Sequence, residues 1–309
     1  MEKVENYIKN KIKEQAVSLG FLEMKVAKYE ILSNEIQNYS KWIENGYNAT
    51  MKWMEKNIDK RMNIRNILDN AQSVLVFSHS YFTGINHIDN TYKISRYAWG
   101  DDYHIILLEK LKKIENFLIS LFPKCKTKSY VDTGPILEKQ WAVRSGLGWQ
   151  GKNSLILNKD YGSYFFIGII ITDLIFQNDE VVDDKCGTCT KCINACPTNA
   201  IINDKVIDSN KCISYWTIEA KQDVAIPFEI RNNINGWAFG CDICQEVCPW
   251  NKNKPKLTTE ESFFPRYGTN FNSEELKNMS NEEFNFKYKN SPIKRTKLKV
   301  ILRNLDIEE

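Results

Sequence analysis

Cys186-Gly187-Thr188-Cys189-Thr190-Lys191-Cys192-Ile193-Asn194-Ala195-Cys196-Pro197 is one of two cysteine runs that decide how this chain is built. The other is Cys241-Asp242-Ile243-Cys244-Gln245-Glu246-Val247-Cys248-Pro249. The first follows C-x2-C-x2-C-x3-C-P, a spacing that wraps three thiolates around one iron–sulfur cubane and sends the fourth to a second cluster. The second run supplies the last three cysteines of such a pattern, and Cys212 is the candidate for the missing one. Together they give the eight thiolates that two [4Fe-4S] clusters need. The crossed rule assigns Cys186, Cys189, Cys192 and Cys248 to one cluster, and Cys196, Cys212, Cys241 and Cys244 to the other.

Two plainer readings compete. Structural zinc also uses C-x-x-C pairs, but Cys-Pro after an x3 gap, twice, is not a zinc-ribbon spacing. Disulfides need an oxidising compartment, and no charged-then-apolar signal segment opens the chain. Cys125, the ninth cysteine, lies far from both runs and reads as a spare thiol.

At 309 residues the chain is long enough for more than one domain, and 42% hydrophobic with 26% charged residues is ordinary for a globular protein. The longest apolar stretch, Tyr164 to Thr172, is too short to span a bilayer and reads as a buried central strand. The expectation is therefore a cytoplasmic protein with no membrane partner. A net charge of +3 is too small to argue for nucleic acid unless it is concentrated. It is concentrated at one end. Lys287, Lys289, Lys294, Arg295, Lys297, Lys299 and Arg303 occur with no acidic residue between 287 and 303. Ile293, Val300, Ile301 and Leu305 would form the packed side of one helix there, either a solvated basic face or a phosphate-binding one.

Val4, Ile8, Ile12, Ala16 and Leu19 recur at helical spacing over residues 2–19, closed by Gly20. A strand is expected over 21–27, a helix over 32–44, and a strand covered on both faces at Val74-Leu75-Val76-Phe77. A helix follows over 107–121, then a strand over 128–131 ending at Asp132. Pro135 is expected in the first turn of a helix closed by Gly146, with strands at 153–157 and 164–171. The alternation predicts an α/β (α+β) fold with a mixed sheet covered by helices, over residues 1–177. Residues 178–255 would form a ferredoxin-like two-cluster domain, and 256–309 a short basic helical segment. In that segment Ser273-Glu-Glu-Leu and Ser280-Asn-Glu-Glu read as helix starts, the second with capping-box spacing.

Clusters of this kind move one electron at a time, and most of the chain must serve what they reduce. The densest stretch is Val131-Asp132-Thr133-Gly134-Pro135-Ile136-Leu137-Glu138-Lys139, followed by Gly146-Leu-Gly-Trp-Gln-Gly-Lys-Asn-Ser154. A carboxyl at a sheet edge, partly desolvated, has its pKa raised and can deliver a proton near neutrality. That is the expectation for Asp132. Gly146, Gly148 and Gly151 are expected to let the backbone approach a ligand.

These stretches, with Ala98-Trp-Gly-Asp-Asp-Tyr-His104, Gly162-Ser-Tyr-Phe-Phe, Cys212-Ile-Ser-Tyr-Trp-Thr-Ile-Glu and Cys241-Asp-Ile-Cys-Gln-Glu-Val-Cys-Pro-Trp-Asn, run collinearly from about residue 60 to 252. In combination they closely resemble the epoxyqueuosine reductases. The resemblance implies a cobalamin-dependent oxidoreductase with two [4Fe-4S] clusters, related to reductive dehalogenases, that completes queuosine synthesis on tRNA. Such an enzyme removes the epoxide oxygen of epoxyqueuosine at the wobble position, using cob(I)alamin fed by the clusters, with Asp132 as proton donor. It also implies a base-off cobalamin without a histidine beneath the cobalt. The absence of D-x-H-x-x-G agrees, since Asp102-Tyr-His104 is followed by Ile-Ile-Leu. His104 is then a hydrogen-bonding residue at a helix start. Corrin contacts are expected at Arg61, Tyr97, Asp132, Ser154, Ile156 and Ser214, and tRNA contacts at Lys294, Arg295, Lys297 and Lys299. The expected partners are a tRNA carrying epoxyqueuosine and a flavodoxin- or ferredoxin-type electron donor, with the chain a monomer. The alternatives are a cobalamin reductase acting on a small molecule and a non-catalytic electron-transfer protein.

Overall fold

The eight residues of the Ser73–Ser80 strand are all buried, and this strand organises the first half of the molecule. The computed structural model describes residues 2–306, with side chains from residue 6 onward. Ser73–Ser80 pairs with Glu23–Lys28 on one side and with Phe165–Thr172 on the other. The short Thr127–Tyr130 strand completes the order at the far edge. All three pairings are antiparallel. The α/β class stands, but the parallel pairing expected of a mixed sheet lies elsewhere, between Lys93–Ile94 and Trp237–Phe239.

Alternation along the central strand explains its unbroken apolar run. Leu75 and Phe77 face one layer, where Ile12 and Ala16 of the Glu2–Ser18 helix meet Leu107, Leu111, Ile114 and Leu118 of the Tyr103–Leu121 helix. Val74 and Val76 face the other, against Trp141 and Ala142 of the Glu138–Arg144 helix, Leu147, Leu32 and Ile64. A strand coated on both faces has no polar side to show.

A third core joins Ile94, Ala98 and Trp99 to Phe239 and to Phe284, Tyr288, Ile293 and Ile301 of the C-terminal segment. The expected single basic helix is two pieces: a 3-10 turn over Pro292–Arg295 and a helix over Leu298–Asn304. Pro292 starts the first piece, and Thr296 and Lys297 are extended between them, so the chain turns while the packed residues stay buried. The capping box at Ser280 and Glu283 forms as expected. The other helix start is capped by Asn272, one residue before Ser273. Pro135 sits in the turn ahead of Glu138–Arg144 rather than inside it.

Candidate cluster sites and acid-lined cleft

The Lys191–Ala195 and Ile243–Glu246 helices, one from each cysteine run, pack against each other. This brings the ends of the two runs across one another. Burial pushes the Cys248 thiol up, and the charges it feels next are those of Cys186, Cys192 and Cys189. Burial likewise pushes up Cys212, with Cys196 beside it, and Cys244, with Cys212 and Cys196 beside it. Cys241 is raised in the same way and feels Cys244 and Cys212. Cys244 also feels Cys192, so the two sets of thiols adjoin one another. All eight thiols keep partly open surface although Cys212, Cys241 and Cys244 lie deep.

Among the described residues no three Cys, His, Asp or Glu groups close on a single metal ion. A tetrahedral zinc with Zn–S of about 2.3 Å draws its sulfurs within about 4 Å of one another. The thiols are spread more widely than that, as the corners of a cubane are. Backbone N–H groups point at the sulfurs, as from Ala200 to Cys196 Sγ at 3.3 Å. Such bonds stabilise thiolate ligands and tune a cluster's potential.

Asp132 lies two residues beyond the edge strand, in the left-handed region at φ 57°. Protein surrounds its carboxyl on nearly every side, yet 58% of its side chain is accessible. A group both deep and open lines a cleft. Oδ2 accepts from Tyr103 Oη at 2.9 Å and from His104 Nε2 at 3.4 Å. Oδ1 carries no hydrogen bond among the described residues. The Asp132 N–H donates to Glu138 Oε1 at 2.7 Å. His104 Nδ1 meets Asp102 Oδ1 at 2.6 Å, and the same oxygen caps the helix by accepting from the His104 N–H.

The electrostatics correct one expectation. Burial alone would raise the Asp132 pKa, but the hydrogen bond and charge of His104, helped by Tyr103 and Lys139, outweigh it and hold the carboxyl below its usual range. His104 moves the other way. Burial disfavours its cation, but Asp102 and Asp132 push it to about 9. The carboxyl that keeps its proton is Glu138, which burial and the nearby Asp132 raise to about 8. Lys139 stands in the same cleft, lowered by burial against the charges of Asp132, Glu138 and Cys244.

The expected corrin contacts distribute unevenly. Tyr97 shares the cleft: its pKa is raised first by burial and next by Asp132, and its ring meets Tyr103 edge-on at 6.1 Å. The Ser214 N–H points at Cys212 Sγ. Ser154 is left-handed at φ 62° in a turn closed onto Gly151 O, and neighbouring Asn153 donates to Cys244 O at 3.1 Å. A serine held there is costly, the kind of backbone that marks ligand-binding turns. Ile156 buries its side chain in the core and offers the site only backbone. Arg61 is buried, bonded to Lys56 O and placed over the Tyr39 ring. Gly148 and Gly151 make close approaches to Leu157, and Gly146 to Glu180, so these glycines serve the protein's own packing.

Lys294, Arg295, Lys297 and Lys299 are exposed. Arg295 pairs with Glu219 at 2.7 Å, and the charges of both are felt by Tyr97. Lys297 and Lys299 line a separate cavity of about 780 Å³ with Ser280 and Phe284. Arg303, by contrast, is structural: its guanidinium donates to the carbonyls of Trp216, Lys221 and Val224. Sequence reasoning missed Tyr103, Glu138 and Lys139 as members of the cleft. Their adjacency to His104 and Asp132 in the quoted motifs was the available signal. Among the described residues no helix is long and apolar enough to cross a membrane.

A crossed pair of cysteine runs feeding a cleft lined by ionisable side chains defines a cluster-bearing oxidoreductase. Residues 185–251 match the 4Fe-4S double cluster binding domain, and residues 61–133 match the model described as epoxyqueuosine reductase QueG, DUF1730. An epoxyqueuosine reductase of Cellulophaga algicola is 41% identical over 297 residues, covering 96% of each chain. Among solved structures, a selenomethionine-labelled epoxyqueuosine reductase superposes with a TM-score of 0.90 at 31% identity, over 97% of this chain and 80% of the other. Another, with an epoxyqueuosine-modified tRNA-Tyr stem loop, gives 0.88 at 32% identity over the same shares. The chain belongs to the epoxyqueuosine reductase family.

Proposed function

We propose that this protein reduces the epoxide of epoxyqueuosine in tRNA to the cyclopentene of queuosine, with Asp132 as the residue that hands a proton to the departing oxygen. The observation that carries the reading is the cleft in which Lys139 senses both Asp132 and Cys244. That shared influence supports an acid near the cluster ligands. The related enzyme crystallised with an epoxyqueuosine-modified stem loop supports the substrate.

Cobalamin fits the donor set of this cleft. His104 uses both ring nitrogens on carboxylates, His79 is buried between Phe21 and Phe263, and His87 bonds Ile94 O. His104 and His87 are thus committed to protein partners, and His79 is enclosed by aromatic rings. Tyr97, Ser154, Ser214 and the backbone at Ile156 would line the edge of a corrin. Bound there, the corrin would supply the low-potential nucleophilic metal. The protein's share is to hold the nucleotide, exclude water and move protons. Residues 1–177, 178–255 and 256–309 would divide these tasks into catalysis, electron delivery and tRNA contact.

Protein purified anaerobically, loaded with clusters and cobalamin and given a one-electron reductant, should convert epoxyqueuosine to queuosine in nucleoside digests of tRNA. Asp132→Asn should keep the cluster and corrin absorbance while losing about 10²–10⁴ in rate. A variant as active as wild type removes Asp132 from this role. Lys294→Ala with Lys297→Ala should weaken tRNA binding and flatten its salt dependence by about one to two units of log–log slope. An unchanged slope removes these lysines from the interface.

A further inference from the structure

Reduction of an epoxide to an alkene takes two electrons and two protons. Both C–O bonds break, a C=C bond forms, and the oxygen leaves as water with two new O–H bonds. The electrons come singly from the reductant through the clusters; both protons must come through the cleft. One carboxyl stores one proton, and Asp132 at rest stores none, because the cation beside it favours the carboxylate.

We propose that Asp102, His104 and Asp132 form a proton wire in which the His104 imidazolium reloads Asp132 during each reduction. This rests on the functional reading above and assigns His104 as a positioning and relay residue that acts through Asp132. The geometry is a carboxylate–imidazole–carboxylate chain. Asp102 Oδ1 fixes His104 Nδ1 at 2.6 Å, and Asp102 is itself fixed as the helix N-cap. His104 Nε2 then faces Asp132 Oδ2 at 3.4 Å, a long contact of the kind that tightens when substrate binds. Oδ1 remains to face the cleft.

The other groups around Asp132 serve the transfer less well. Tyr103 donates to Oδ2, but burial and Asp132 raise its pKa well above the ordinary tyrosine value, so it gives up its proton poorly. Tyr97 is raised likewise. Glu138 is directed at the Asp132 backbone N–H through Oε1. Lys139 and Glu219 contribute charge without a hydrogen bond to the carboxyl. His104, held near 9, carries a proton at neutral pH and loses it only above that value. The wire is therefore loaded below about pH 9 and empty above it.

The test compares single-turnover conversion of epoxyqueuosine tRNA by loaded wild type, His104→Gln and Asp102→Asn across about pH 6 to 10. Asparagine still caps a helix, so Asp102→Asn preserves the fold while weakening the hold on the imidazole. Wild type should keep its rate up to about pH 9. His104→Gln should lose about 10²-fold at pH 8, with its alkaline fall-off moved toward acid and partial rescue by added imidazole. A His104→Gln profile that overlays wild type overturns the wire. A second readout is independent of turnover: nuclear magnetic resonance titration of the imidazoles, of which the chain has only three. His104 should titrate near 9 in wild type and at least about one unit lower in Asp132→Asn. An ordinary histidine midpoint in wild type overturns the wire as well. If wild type forms no queuosine, the functional reading fails, and the titration still decides the wire.

Discussion

Replacing Gly134 by alanine adds one methyl group to the loop that carries Asp132. That methyl would lie 2.6 Å from Tyr130 Cγ and closer still to Cδ1. Carbon atoms rest at about 3.5–4.0 Å, so the ring or the loop has to give by about 1 Å. Tyr130 ends the edge strand and packs against the core layer holding Trp141 and Ile136, whereas the loop is partly exposed. The loop should move, and Asp132 with it. A misplacement of about 1 Å in a reacting group costs on the order of 10²-fold in rate. Gly134→Ala should therefore fold, hold both clusters and lose about 10²-fold in queuosine formation, measured by nucleoside analysis under single turnover. Adding Tyr130→Ala removes the obstructing ring, so the double variant should regain most of the rate lost by the single one. Such strong non-additivity is expected only of residues in contact. A double variant as slow as Gly134→Ala, or a Gly134→Ala protein at wild-type rate, would falsify the steric account.

Two further predictions concern stability. Arg303→Met removes charge-assisted bonds to the carbonyls of Trp216, Lys221 and Val224, which close the end of the helix carrying Ser214. It should cost about 2–4 kcal/mol in denaturant unfolding, and a loss below about 0.5 kcal/mol would show that water replaces the guanidinium. Glu138→Gln mimics the protonated acid. Because the folded-state pKa is raised from 4.5 to about 8, the stability that Glu138 contributes is complete below 4.5 and drains away as pH rises through about 8. Glu138→Gln should gain on wild type by up to a few kcal/mol between those limits, and parallel stability curves for the two proteins would contradict it.

The elements that could be read from sequence were those in which local pattern and tertiary role agree. Ser73–Ser80 was legible because a strand covered on both faces leaves an unbroken apolar run, and Ser280 because a capping box is purely local. Antiparallel pairing was not, since partners drawn from residues 23–28, 73–80 and 165–172 meet only in three dimensions. Nor was the break at Thr296, where periodicity persists across a bend because both pieces bury the same face.

The protonation of Asp132 was inaccessible for a sharper reason. Desolvation acts on Asp132 and Glu138 alike, so a burial argument raises both. What separates them is which atom of each meets a donor. Asp132 Oδ2 faces the imidazole and a phenol, whereas Glu138 Oε1 meets only a peptide N–H and sits beside another negative charge. Two carboxyls six residues apart are thus driven in opposite directions, the arrangement by which one site holds a proton and an anion together near neutrality. In this cleft the cation that balances Asp132 is also its proton source. An oxygen gaining negative charge there meets His104 and Lys139 through a carboxylate that can relay a proton but does not have to store one. The demand on Asp132 is therefore position rather than a raised pKa, which is why the left-handed backbone and the crowded Gly134 beside it matter more to turnover than its solvent exposure.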